Sequence, residues 1–355
     1  MPANETVRRE SEKIEPVVSV IVPARNEEAS LGACLESLVS QTGIDFEIIV
    51  VDDHSTDRTR DIAVSFAAAG ESKLRVVEAG PLPAGWTGKN NAIVAGVHQA
   101  RGEWLLFTDA DTVHLPGSLA RALEEARENR VDLLSYSPEQ IAVTFWEMAV
   151  LPVVFAELAQ QYPPSKVSDP NSPLAAANGQ YLLVKREAYD AVGGHAAIAS
   201  EILEDVALAR AFKAAGRKIR FRYAADAVRT RMYRNWSQLR DGWTKNLALL
   251  FPHPGWLVLK SICLWAMPWA IAFLLPVLSG KHWWLSPIFV GSFLWLTWRL
   301  RRANFTSRMT SLGALFGMPT FAYLLLRSKR AHAKGSVIWK DRTYSEKGGL
   351  LAPGH

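Results

Sequence analysis

The sequence predicts an α/β fold, a mostly parallel sheet with helices on both faces, followed by carboxyl-terminal transmembrane helices. Three observations carry this expectation. Through the first third of the chain, β-branched apolar runs alternate with segments whose apolar residues recur at helical spacing. Three of the strand-like runs end in polar or acidic clusters, Asn26-Glu27, Asp52-Asp53 and Asp109-Asp111. Beyond Gly255 the composition changes to three long apolar runs joined by short polar links.

In order, residues 17–23 form a β-branched run ended by proline, and leucines at helical spacing follow over 28–40. A second strand is expected over 46–51 and a second helix over 56–69. Residues 74–77 give a third strand, 91–100 a third helix, and 104–108 a fourth strand ending in Asp109-Ala110-Asp111. In such sheets ligands bind beyond the carboxyl ends of the strands, so the acidic clusters are expected to converge on one site. Residues 141–158 mix Phe145, Trp146, Met148, Leu151, Val154 and Phe155 with only two carboxylates, Glu147 and Glu157. That segment reads equally as a core helix or as a helix lying in a membrane interface.

The chain of 355 residues is 49% apolar, which excludes a disordered protein, and its net charge is +5. Basic residues crowd the last third beside the apolar runs, a pattern that fits a membrane surface and not nucleic acid. Two cysteines, Cys34 and Cys263, allow neither a disulfide framework nor a thiolate zinc site. The polar first sixteen residues contain no apolar core of a signal peptide, so the amino-terminal domain is expected to stay in the cytosol.

The apolar run 256–278 is long enough to span a bilayer; 283–300 is marginal. The third, 311–326, is shorter and contains Gly317-Met318-Pro319, so a broken or re-entrant segment is expected there. A soluble helical bundle is the plain alternative. Arg299, Arg301, Arg302 and Arg308 follow the second run, which places that loop in the cytosol by the positive-inside rule. The expected organisation is a flexible tail over 1–16, a catalytic domain over 17–250 with the candidate interfacial helix at 141–161, a multi-pass membrane region over 251–328 and a basic tail over 329–355.

Asp109 and Asp111 flank one residue at a strand end, where alternation would turn both carboxylates to one side. Hard oxygen donors of this kind suit Mg²⁺ or Mn²⁺, which bind one or two carboxylates together with substrate phosphates. A solvated strand end is the alternative. Glu204-Asp205 opens an apolar-periodic helix, which fits either a general base or the preference of acids for a first helical turn. Lys89, in Trp86-Thr-Gly-Lys-Asn-Asn91, is placed to neutralise phosphate, or is an ordinary solvated cation.

Four motifs in order, Val18-Ser-Val-Ile-Val-Pro-Ala-Arg-Asn-Glu-Glu28, Val50-Val-Asp-Asp-His-Ser-Thr-Asp57, Thr108-Asp-Ala-Asp-Thr112 and Leu203-Glu-Asp205, resemble glycosyltransferase family 2, the inverting enzymes of the GT-A fold. Gly85-Trp-Thr-Gly-Lys89, Ala177-Asn-Gly-Gln-Tyr181, Val192-Gly-Gly-His195 and Val337-Ile-Trp-Lys-Asp-Arg-Thr-Tyr344 resemble the membrane glycosyltransferases of carotenoid and hopanoid pathways.

The resemblance implies a hexosyltransferase that uses a UDP-sugar donor, a divalent metal and a lipid-like acceptor at the cytoplasmic face of the bilayer. It places Pro23, Arg25, Glu27, Asp52, Asp53, Lys89 and Asp109 around the nucleotide-sugar, and Asp111 with Asp109 at the metal. Asp205 would be the base beside Glu204, and Asn178, Gly179 and Gln180 would border sugar and acceptor. The family's Gln-X-X-Arg-Trp motif has only the displaced counterpart Gln238-Leu-Arg-Asp-Gly-Trp243, which leaves donor-site contacts from Arg240 and Trp243 in doubt. A non-catalytic nucleotide-binding scaffold and a polysaccharide synthase are the competing readings. The intact acidic set argues against the first, and the few apolar runs against the second.

Overall fold

A computed structural model describes residues 16–69, 73–277 and 310–335, the strand pair 337–339 and 342–344, and isolated helical positions between 287 and 295. The expected amino-terminal tail up to residue 15, most of the second apolar run, the cationic stretch 299–308 and the tail beyond 344 lie outside the described residues.

The chain begins with β1 (Val18–Ala24), α1 (Leu31–Val39), β2 (Phe46–Asp52), α2 (Thr59–Ala68), β3 (Leu74–Glu78), α3 (Gly88–Gln99) and β4 (Trp104–Phe107). It continues with β5 (Thr112–His114), α4 (Ser118–Glu128), β6 (Leu133–Ser137), β7 (Glu139–Gln140), α5 (Phe145–Gln161), α6 (Pro164–Ser168), β8 (Leu182–Lys185), α7 (Arg186–Ala191) and α8 (Gly194–Ala197). Then follow α9 (Glu204–Ala214), β9 (Ile219–Tyr223), β10 (Val228–Thr230), α10 (Trp236–Leu250), α11 (Pro254–Val277), α12 (Thr310–Ala333), β11 (Val337–Trp339) and β12 (Arg342–Tyr344).

Seven strands form the main sheet in the order β3-β2-β1-β4-β8-β6-β9. The expected parallel half is present: β1 pairs in parallel with both β2 and β4, and β2 with β3. Only β8 runs against its neighbours β4 and β6. Because alternate side chains leave a strand on opposite faces, Val20, Val22, Ile48 and Val50 pack against α1 and α4, whereas Ile21, Ile49 and Val51 pack against α3 and α9. The parallel strands β1, β2 and β4 therefore end on one side, which brings their polar turns together.

A second apolar core lies between helices. Val150, Val154, Trp243, Leu247, Leu257, Phe321 and Leu325 bring α5, α10, α11 and α12 into one cluster. The body of α5 is buried, and only its first turn exposes large apolar rings, with Phe145 52% and Trp146 38% exposed. Its two carboxylates are both paired. Glu147 closes a capping box with Thr144 and meets Arg231 Nε at 3.0 Å; Glu157 accepts from Lys260 Nζ of α11 at 2.8 Å. These pairs explain how acids stand inside an apolar helix.

Among the described residues, one helical stretch, Pro254–Ile271 of α11, is long and apolar enough to cross a membrane, and little of it is covered by protein. The break expected at Gly317-Met318-Pro319 does not occur, since α12 runs unbroken from Thr310 to Ala333. Gly317 serves a different purpose: a Cβ there would lie 1.7 Å from the Ala149 carbonyl oxygen, so the glycine is what lets α12 cross α5 closely. The small residue that reads as a helix breaker in sequence is a helix contact in space.

Gly317→Ala is therefore expected to lower stability by about 3 kcal/mol, the upper end for overpacking, because the obstacle is backbone. Gly32→Ala, inside α1 with nothing within 4 Å of the added methyl, should raise stability by about 0.5 to 1 kcal/mol. Thermal unfolding of the two variants in the same detergent checks both; equal shifts would contradict the crossing argument.

Candidate active site

The turns after β1 and β2 are stitched to each other before they meet anything else. Arg25 donates to the Asp53 carbonyl at 2.6 Å, Asn26 Oδ1 accepts from Thr56 N at 2.9 Å, and Glu27 N donates to Thr59 Oγ1 at 2.7 Å. Asn26 and His54 adopt left-handed backbone, with φ of 51° and 55°. His54 thus sits where a glycine costs least, and its ring turns outward to Glu78 at 3.5 Å.

Asp109 and Asp111 lie in the turn between β4 and β5, past the strand end, where Thr112 N donates to the Asp109 carbonyl. The strand alternation expected to align them therefore does not act, and it is the turn that brings both residues to the same cavity. Opposite, the start of α9 presents Glu204 and Asp205. Lys89, in the first turn of α3, joins the two sides: its Nζ lies 2.7 Å from Asp109 Oδ1 and 2.6 Å from Glu204 Oε1. Burial opposes the lysine's charge, but the two carboxylates outweigh it and hold the ammonium more firmly protonated than usual.

Asp205 Oδ2 accepts from Gly179 N at 2.9 Å and Oδ1 from Val206 N at 2.8 Å. Burial, and next the Glu204 charge, raise its pKa to about 6 despite those donors and Lys89. Burial also works on Glu204, yet Lys89 keeps that carboxyl below the ordinary range. The two adjacent acids are thus pushed apart, the pattern that separates proton acceptor from permanent anion. Gly179 is confined, since a Cβ on it would stand 3.1 Å from Glu204 Oε1 and 3.2 Å from Lys89 Nζ.

These groups open onto one cavity of about 1090 Å³. Of the residues expected from sequence, Pro23, Arg25, Glu27, Asp53, Lys89, Asp109, Asp111, Asn178, Gly179, Gln180, Glu204, Asp205 and Trp243 line it. Asp52 and Arg240 do not. Asp52 Oδ1 instead accepts from Ser55 N at 3.3 Å, inside its own turn, and Arg240 folds onto the neighbouring Asp241 at 2.8 Å. Asn178 and Gln180 are held by their own bonds, to Ser135 Oγ at 2.8 Å and Thr230 Oγ1 at 3.2 Å.

The helical layer supplies the opposite wall: Phe155 and Leu158 from α5, Tyr162 just past its end, Lys245 and Leu250 from α10, and Arg327 from α12. Sequence reading missed Tyr162, Lys245 and Arg327. No local motif marks them, because they reach the cavity only through helix packing. Among the described residues no group of three or more histidine, cysteine or carboxylate side chains is arranged to hold a metal. The chemistry of the donor set fits a hard divalent ion that takes two carboxylates, Asp109 and Asp111, and completes its shell with phosphate and water.

A family model described as Glycosyl transferase family 2 matches residues 19–193. The 4,4'-diaponeurosporenoate glycosyltransferase of Staphylococcus aureus strain MRSA252 is 29% identical over 349 residues, covering 92% of this chain and 88% of that protein. Among solved structures, the Pyrobaculum calidifontis mannosyltransferase PcManGT, in complex with GDP-Man and Mn2+, is 16% identical with a TM-score of 0.46 and covers 90% of this chain and 87% of its own. Glucosyl-3-phosphoglycerate synthase of Mycobacterium tuberculosis is 21% identical with a TM-score of 0.42, covering 66% and 78%. The family match spans the convergent strand ends and their acidic turns, and the chain is thus a glycosyltransferase that carries the family 2 domain over residues 19–193.

Proposed function

We propose that this glycosyltransferase moves a hexose from a UDP-sugar, with inversion, onto an apolar polyisoprenoid-type acceptor of the carotenoid kind at the cytoplasmic face of a membrane. The single observation that carries the reading is the two-sided cavity, with acidic turns on the sheet side and, on the other, helices that bring apolar Phe155, Leu158, Trp243 and Leu250 together with the cations Lys245 and Arg327. Its volume of about 1090 Å³ is at the top of the range for a single small ligand, which leaves room for a donor and one end of an acceptor. The related enzyme named for a carotenoid acid, aligned over nearly the whole chain, supports the acceptor class. The apolar stretch of α11 beside this wall supports membrane attachment.

In this reading Asp53 and Arg25 border the nucleoside, and Asp109 with Asp111 would hold Mg²⁺ or Mn²⁺. Bound there, the metal would neutralise charge on the leaving diphosphate. Lys89 adds a fixed ammonium beside the same phosphates. Asp205 takes the proton of an acceptor hydroxyl, its carboxylate oriented by Gly179 N and Val206 N. Glu204, kept ionised by Lys89, holds the Lys89 charge close to the reacting centre.

The test is UDP release by the detergent-solubilised chain from UDP-hexoses, with and without a polyisoprenoid acceptor mixture. Release is expected to need the acceptor and to fall on metal chelation and in Asp111→Ala; UDP-sugar binding without turnover would refute the transferase reading of this site. Asp205→Asn should lower kcat on a hydroxyl acceptor by about 10²- to 10⁴-fold, the usual contribution of a general base. On a carboxylate acceptor, already ionised, the loss should be far smaller, and equal losses would remove Asp205 from the base role.

The pH dependence follows from the raised Asp205 carboxyl. As pH falls through about 6 the base becomes protonated, so kcat/KM with a hydroxyl acceptor should drop on the acid side and level off above. Lys89 lowers that carboxyl, so Lys89→Met should move the acid limb to higher pH. An unmoved or lowered limb would contradict the assignment.

A further inference from the structure

The segment Val192-Gly-Gly-His195 has no part in the chemistry above, yet it backs the site. Gly193 and Gly194 take left-handed backbone, φ 79° and 54°, and a Cβ on Gly194 would lie 2.4 Å from the Tyr189 ring. The turn thereby folds His195 against Tyr189. The residues that follow are fastened to the start of α3, where Asn90 Nδ2 donates to the carbonyls of Ile198, Ala199 and Glu201 at 2.9, 3.0 and 3.2 Å. His195 is 1% exposed, and its ring meets Phe107 edge-on at 4.8 Å between centroids.

The hydrogen bonds of Tyr189 decide the tautomer. Its hydroxyl lies 3.0 Å from the His195 backbone N–H, which can only donate, and 3.0 Å from Nδ1. With the phenolic O–H donating to an unprotonated Nδ1, the hydroxyl both donates and accepts; with the ring proton on Nδ1, it would accept twice and its own proton would have no acceptor. The neutral ring therefore carries its proton on Nε2. Burial, reinforced by the Lys89 charge, pushes the imidazole down to about 3, so the ring stays neutral through the working range.

His195 also borders a small cavity of about 10 Å³ shared with Lys89, Asp109, Gly179, Glu204 and Asp205. That volume is near the least that accommodates one water, and carboxylates and an ammonium supply the polar partners a water needs. We infer that His195 is a positioning residue for the transfer: its Nε2–H donates through one buried water to the inner side of the Glu204–Asp205 pair, holding both acids and Lys89 in place from behind. A phenylalanine would fill the same space against Phe107 and supply no donor, so packing and positioning are separable.

The inference rests on the transferase reading, and the experiment separates the two. Steady-state kinetics of the full chain in detergent would compare His195→Phe, which removes both ring nitrogens, His195→Asn, which keeps an acceptor near Tyr189, and His195→Gln, which keeps an amide donor near the Nε2 position. His195→Phe is expected to lower kcat about 10-fold, the low end for loss of a group that orients first-contact residues, with the donor KM within about twofold. His195→Gln should recover most of the loss and His195→Asn little.

Unchanged kcat in His195→Phe, or recovery by Asn and not Gln, would overturn the inference while a turning-over wild type left the transferase reading standing. Should a variant fail to fold, Tyr189→Phe removes only the hydroxyl that selects the tautomer, and kcat is expected to fall about threefold as the ring divides between tautomers; an unchanged kcat would count against the inference. Nitrogen-15 spectra of labelled histidine report the tautomer without any turnover. A proton on Nε2 is expected, and one on Nδ1 would overturn the inference directly.

Discussion

The arrangement of the site depends on one ammonium between two acids. Lys89 touches Asp109 on the turn after β4 and Glu204 at the start of α9, and so draws together two parts of the chain nearly a hundred residues apart in sequence. Taking three charged groups partly out of water is costly unless each is paired, and here the lysine answers both carboxylates. Without it, Asp109, Glu204 and Asp205 would face one another as uncompensated anions. The same contact differentiates the two neighbouring acids: Glu204 is held ionised, and Asp205 beside it is left with a carboxyl that titrates near 6.

Everything around this triad keeps it from relaxing. Thr87 caps α3 through Asn90 N, which sets where Lys89 leaves the helix. Gly179 donates its backbone N–H to Asp205, at a point where a Cβ would crowd Glu204 and Lys89. Gly193-Gly194 and Tyr189 close the rear. The sheet contributes rigidity through β1, β2 and β4, whose parallel pairing delivers all the polar turns to the same edge.

The helical layer adds what a bare sheet edge lacks, a wall facing the acids that mixes Phe155, Leu158, Trp243 and Leu250 with Lys245 and Arg327. It is assembled by α5 and α10, which precede the apolar carboxyl-terminal region in sequence, together with α11 and α12. Ion pairs join the parts: Lys260 of α11 to Glu157 of α5, and Arg231 to Glu147. A charged pair in an apolar interface has a narrow range of acceptable geometries, so these contacts fix how the helices seat on the catalytic core. Arg327 reaches the cavity from α12 by the same packing, which makes the last described helix part of the site wall.

Much of the fold was legible in the amino-acid order because the signals are local. The β-branched runs at 18–24 and 46–52, the leucine spacing of α1 and the acidic turns are each properties of a dozen neighbouring residues, and the convergence of Asp53, Asp109 and Asp111 follows from parallel pairing alone. Strands β5 to β10 carry no comparable periodicity and were not anticipated. Asp52 and Arg240 share motifs with residues that line the cavity, but a turn bond and an adjacent aspartate take them elsewhere. Gly317 shows the limit most clearly: glycine followed closely by proline signals a break when only the chain is considered, and a close helix crossing when Ala149 is opposite. The sequence by itself determined the α/β class, the acidic turns and the family; tertiary structure decided which of those side chains share a cavity, which of two adjacent acids has its pKa raised and which stays a permanent anion, and which helices form the far wall. The reason is physical, since periodicity and turn chemistry act over a few residues, whereas burial, charge pairing and backbone clearance exist only between segments that folding has brought together.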